Sequence, residues 1–169
     1  MPFELDPDLP RELAPLAWLA GRWEGAGTIG YPTIDDARFA QEVHCFHDGR
    51  PLLEWHSHTW LLDEQGERVR PLASELGFWR PLPNDEVELV LSHSSGVVEL
   101  YYGRTETARV ELVTDGVIRS PHANEYSAGK RLYGLVSSRL MWAMDMAAMG
   151  LPLQSHASAE LVRVEAFDA

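Results

Sequence analysis

At 169 residues the chain is long enough for one domain with a sizeable core and too short for two full ones. A hydrophobic share of 45% excludes disorder, and no apolar run reaches the roughly 20 residues that a membrane helix requires. A formal charge of −12, with 14 Lys and Arg, sets the chain against phosphate backbones and anionic membranes, so neither nucleic acid nor a membrane is expected as a partner.

Residues 1–20 read as a lead-in that packs on the rest of the chain, helical or turn-rich over 6–19 and punctuated by Pro7, Pro10 and Pro15. From Gly21 the pattern changes to extended segments: 21–29, 37–46, 52–62, 72–80, 86–92, 97–104, 109–113, 125–136, 139–149 and 155–164. Turn clusters separate several of them, at Asp48-Gly49, Glu64-Gln65-Gly66, Pro83-Asn84-Asp85, Ser94-Ser95-Gly96 and Asp115-Gly116. Residues 97–102 alternate in polarity, as a half-buried strand does. Residues 136–150 carry Met and Ala that also suit a helix, but their neighbours favour a strand. About ten strands at this spacing, with no repeat or linker, predict an all-β fold. The expectation is one domain over 21–169, a single antiparallel β-barrel behind a short N-terminal helical turn. Closure removes the sheet edges and leaves an interior wide enough for a ligand.

The first residues lack the order of a signal peptide. The one cysteine, Cys45, excludes an internal disulfide framework and an all-cysteine zinc site. Both favour a cytoplasmic location. Gly21-Arg22-Trp23-Glu24-Gly25-Ala26-Gly27 places glycines on alternate positions, so another backbone or a ligand can approach one face closely. Trp23 is placed to close the barrel floor. Pro32 stiffens the next segment and biases Tyr31 to an extended conformation, and Thr33 offers a hydroxyl near the barrel mouth. Among seven histidines, His56 and His58 share one strand face, with His44 and His47 on a neighbouring strand. That spacing suits a β-sheet zinc site, but no acidic ligand completes a signature, and a surface strand face is the simpler reading. His93-Ser94-Ser95-Gly96 reads as a hairpin turn, since no Gly-x-Ser-x-Gly elbow accompanies it. His156 stands at the entry of the last strand, after Pro152. Nothing local makes it a ligand.

Taken in order, these motifs resemble the nitrobindin family, haem-binding β-barrels of the fatty-acid-binding-protein and lipocalin type. The resemblance runs along nearly the whole chain. It rests on Gly21, Trp23, Gly25 and Gly27, then on Tyr31-Pro32-Thr33-Ile34, His47-Asp48-Gly49-Arg50-Pro51 and Glu75-Leu76-Gly77-Phe78-Trp79-Arg80. Leu89-Val90-Leu91-Ser92-His93-Ser94-Ser95-Gly96 follows, and the chain closes on a Pro-Leu-x-x-His-x-x-Ala-x-Leu-x-Arg pattern that ends at Arg163. The resemblance implies one ferric haem b per chain, with His156 as the axial ligand of the iron and the catalytic position, and Thr33 against the porphyrin. It implies nitric oxide and peroxynitrite as small ligands, the latter isomerised to nitrate. On the distal side Trp, Met and Leu are expected, with His47 or His44 as a histidine near the iron. Strict alternation groups His156 with Ser158, Glu160 and Val162, opposite the interior set Ala157, Ala159 and Leu161, so His156 must sit on a bend or bulge. His122 and Asn124 stand where the family carries Thr and Lys, which removes a cation that would face a haem propionate. The competing reading is a non-enzymatic carrier of an apolar small molecule in the same barrel. A homodimer stays open.

Overall fold

Each of the ten extended segments forms a strand in the structure, a computed structural model that describes residues 5–165. In chain order they are β1 (Gly21–Tyr31), β2 (Ile34–Phe46), β3 (Leu53–Leu62), β4 (Arg68–Pro81), β5 (Glu86–His93), β6 (Val97–Glu106), β7 (Arg109–Arg119), β8 (Tyr126–Val136), β9 (Arg139–Ala148) and β10 (Gln154–Glu165). Every strand pairs antiparallel with the next, and β10 closes on β1, giving a ten-stranded barrel with no open edge. No helix among the described residues is long and apolar enough to cross a membrane.

The Met-rich segment is strand, not helix. Leu140 enters the core while Trp142, Met144 and Met146 line an interior cavity, a period of two. The tight turn before it puts both Ser137 and Ser138 at positive φ, 50° and 64°, as a two-residue hairpin turn requires.

Local details depart from the sequence reading. β1 and β2 run on to Tyr31 and Ile34, which pair directly and leave only Pro32 and Thr33 as the turn. Asp115-Gly116 is not a turn but an irregularity inside β7. Gly116 faces Leu100 and Thr114 faces Tyr101, so Asp115 is the extra residue. Pro71 lies within β4, opposite Trp60, beside a register shift that relieves the ladder of its missing N–H.

One end of the barrel is plugged. A 3₁₀ helix, Arg11–Leu19, buries Leu13, Leu16, Trp18 and Leu19 in the core and packs against β4 and β6. Trp23 is fully buried there and donates from Nε1 to the Leu19 carbonyl at 2.9 Å. The Arg163 guanidinium lies 4.0 Å over the Trp23 ring and donates to the carbonyls of Trp18, at 2.8 Å, and Ala20. Above this plug Trp55, Trp79 and Tyr133 pack edge to face, with centroids 5.1–5.8 Å apart. Glycines let the β1 and β10 backbones meet. A Cβ on Gly25 would strike the Glu160 carbonyl oxygen, and one on Gly27 that of Ser158.

Candidate functional site

At the end away from the plug, β9 and β10 lose register between Ser155, opposite Asp145, and Ala157, opposite Met144. His156 is the extra residue of this bulge. It leaves the outward set assigned by alternation and lines the interior cavity with Ala157. Its Nδ1 lies 3.0 Å from the carbonyl oxygen of Gly30, which itself falls in the β1 irregularity between Ile29 and Tyr31. A carbonyl only accepts, so Nδ1 carries the hydrogen and the neutral ring keeps its lone pair on Nε2. Burial holds this imidazole below its ordinary pKa of 6.5; the Gly30 carbonyl opposes the shift and the Arg131 charge adds to it. At neutral pH the ring is therefore neutral.

Tyr31 braces the histidine. Its ring meets the imidazole edge-on, at 5.7 Å and 89°. Its hydroxyl accepts from Ala148 N and donates to Met146 O, both at 3.0 Å, which ties β1 to β9 beneath the bulge.

Two spaces meet at His156. An inner chamber of about 200 Å³ is walled by Phe39, Leu72, Val97, Trp142, Met144 and Met146 on its apolar side. A wider groove of about 1230 Å³ opens at the rim beside Gly30, Tyr31, Pro32, Asp36, Leu61 and Asp63. Ile29, His156 and Ala157 border both.

The other wall of the chamber is charged. Arg131, 3% exposed, donates to both oxygens of Glu75 at 2.6 and 3.1 Å and to the hydroxyls of Tyr133 at 2.9 Å and Tyr101 at 3.2 Å. His93 stands between two carboxylates, with Nε2 2.5 Å from Glu99 and Nδ1 3.7 Å from Glu75. The second Glu99 oxygen accepts from Tyr126, whose hydroxyl is 3.2 Å from that of Tyr101. Burial would raise the Glu75 carboxyl, but Arg131 outweighs it, with help from His93 and Trp55, and holds it at about 2. Glu99 is likewise lowered despite its burial, by His93, Arg131 and Tyr126. Burial and the neighbouring carboxylate push Tyr101 and Tyr126 upward, so both stay protonated. Gln41 links the two walls, accepting from Trp142 Nε1 and donating to Ser57, both at 2.8 Å.

The residues singled out in the sequence do not all converge here. Thr33 lies exposed in the two-residue turn next to Pro32, three positions from the carbonyl that holds His156. His44 faces outward on β2, against Phe46 at 4.3 Å, and pairs with Arg22. Arg22 lies eight positions below Gly30, about 26 Å at roughly 3.3 Å per residue. His47 lies just past the end of β2, at the plugged end, 2.7 Å from Asp6. Neither is brought to His156; the histidine that shares its chamber is His93. His56 pairs with His44 on the outer face, and no cluster of metal-binding side chains forms among the described residues. Cys45 is buried at the plugged end, where burial drives its thiol well above the ordinary value.

The THAP4-like, heme-binding beta-barrel domain family matches residues 12–163. A peroxynitrite isomerase from a Nocardioides species is 48% identical, over 96% of this chain and 99% of its own length. A ferric nitrobindin-like protein from Kineococcus radiotolerans is 46% identical, over 97% and 99% respectively. Among solved structures, Rv2717c from M. tuberculosis superposes with a TM-score of 0.81 at 34% identity, over 95% of this chain and 99% of its own.

Proposed function

Because this chain belongs to the THAP4-like, heme-binding β-barrel family, whose cofactor is haem, we propose that it holds ferric haem b through His156 Nε2 and isomerises peroxynitrite to nitrate. Nitric oxide is a second small ligand on this reading. The observation that carries it is the bulged His156, which borders both groove and chamber with Nδ1 bonded to the Gly30 carbonyl, so that Nε2 keeps the lone pair. The donor set fits the group. A neutral imidazole oriented by a backbone carbonyl is the usual way a protein presents a histidine to a metal, and the rim groove has room for a large planar molecule.

Ferric haem supplies a Lewis-acidic iron at which a small anion binds. This chain supplies the rest. His156, braced by Tyr31, would hold the iron, and Thr33 at the rim turn would lie against the porphyrin. Phe39, Trp142, Met144 and Met146 keep bulk water from the chamber, and Gln41 holds the Trp142 indole in place. Isomerisation to nitrate leaves atoms, charge and electrons unchanged, so no co-reactant is needed. The carrier reading has less support: Arg131, the buried cation that would bind a fatty carboxylate, is already neutralised by Glu75.

Haem titration tests the assignment. Wild-type protein gains a saturable, histidine-ligated Soret band, and His156→Ala loses it while keeping the wild-type far-ultraviolet spectrum. An unchanged band and affinity in the variant contradict the assignment.

A further inference from the structure

The charged wall of the chamber does nothing that holding the cofactor requires. Two carboxylates, Glu75 on β4 and Glu99 on β6, face one guanidinium, Arg131 on β8. Tyr101 on β6 and Tyr126 on β8 stay neutral. With a neutral His93 the wall carries one net negative charge, and a bare anion entering this chamber meets repulsion in a low-dielectric space. His93, on β5, is the group placed to change that, because a neutral imidazole that donates through one ring nitrogen accepts a proton at the other. It faces both carboxylates of the wall, each of which is also felt by Arg131. Nε2 donates to Glu99 at 2.5 Å, while Nδ1 looks toward Glu75 across 3.7 Å, too far for a hydrogen bond and close enough for an ion pair.

The geometry points to His93 as the proton acceptor of a proton-coupled anion site. A small weak acid HX enters uncharged, its H–X bond breaks, the proton passes to His93 Nδ1, and X⁻ stays in the chamber with the electron pair. The wall gains one positive charge as the anion arrives, so net charge is conserved, and Glu75 and Glu99 stabilise the imidazolium. No oxidant or reductant takes part. This inference rests on the haem reading, in which the retained anion is an iron ligand. On turnover the proton held by His93 returns to solvent as nitrate leaves, so the wall regains its net negative charge and the cycle balances.

Equilibrium binding of sodium fluoride and sodium azide to the ferric, haem-loaded protein, followed at the Soret band from about pH 6.5 to 8, tests this. In wild type the apparent Kd rises about tenfold per pH unit once His93 is neutral in the free protein, as uptake of one proton per anion requires. His93→Gln loses that rise. Glu99→Gln keeps the imidazole but removes one of its two carboxylates, and moves the rise to lower pH. A wild-type slope in His93→Gln, or no displacement in Glu99→Gln, overturns the inference with the haem reading intact. Absence of a Soret band in the wild-type protein overturns the haem reading itself.

Discussion

Glu75→Gln probes the buried charges through stability. Burial alone raises a carboxyl's pKa, yet Arg131, 2.6 Å away, holds Glu75 at about 2 against an ordinary 4.5. At about 1.4 kcal/mol per pH unit, that difference contributes about 3 kcal/mol to folding at neutral pH. The folded value is the depressed one, so the contribution is complete above the unfolded pKa and is lost as pH falls from about 5 through about 2. Glutamine is the neutral isostere of the protonated acid. Glu75→Gln therefore costs about 3 kcal/mol at pH 7, in line with the roughly 3–5 kcal/mol of leaving one buried charge unpaired. Against a total stability of about 5–15 kcal/mol this is a large fraction. Urea unfolding of the haem-free protein at neutral and acid pH measures it. The variant is less stable at pH 7 and shows a flatter acid dependence, and adding Arg131→Met to it recovers much of the loss. A cost below about 1 kcal/mol, together with the wild-type acid dependence, refutes the reasoning.

Other outcomes follow from the same geometry. Haem affinity falls on acidification, because protonation of His156, which burial holds below the ordinary imidazole value, removes the Nε2 lone pair; a spectroscopic titration shows affinity level through neutral pH and weakening toward acid pH. Tyr31→Phe strands the Ala148 N–H but keeps the ring against the imidazole, at a cost of about 1–3 kcal/mol in denaturant, while the haem stays histidine-ligated. Gly25→Val drives a side chain into the Glu160 carbonyl and the Leu161 backbone, so the variant loses several kcal/mol or fails to yield soluble barrel, as thermal unfolding reports.

The barrel was legible because strand periodicity and turn chemistry agree along β1 to β10, even through the Met- and Ala-rich β9. What misled was local. Asp115-Gly116 has the composition of a turn, but the partner strand β6 runs past it, so the extra residue is absorbed as a bulge. The inward turn of His156 was legible from the failure of alternation there, which required the bulge that β9 and β10 form. The chamber wall was not. Chain order does not disclose that Glu75, His93, Glu99 and Arg131, spread over four strands, meet in one place. A signal was present in β6, where Glu99 shares its face with Val97 and Tyr101, both buried. A charge on the apolar face of a strand implies a buried partner. His47, expected near the iron from its family-like segment, and His44, from its place close by on β2, are carried by the register to the plugged end and the outer face.

Conversion of peroxynitrite to nitrate through haem on His156 is the activity proposed for this barrel. Stopped-flow decay of peroxynitrite, with nitrate and nitrite quantified at the end, tests it with haem-loaded protein, haem-free protein and haem-treated His156→Ala side by side. Haem-loaded wild type is predicted to speed the decay in proportion to its concentration and to raise nitrate at the expense of nitrite. Haem-free protein only consumes the oxidant through its methionines and exposed aromatics, without raising nitrate, and His156→Ala behaves like it. Equal decay rates and equal nitrate yields for the loaded and haem-free wild type would contradict the claim.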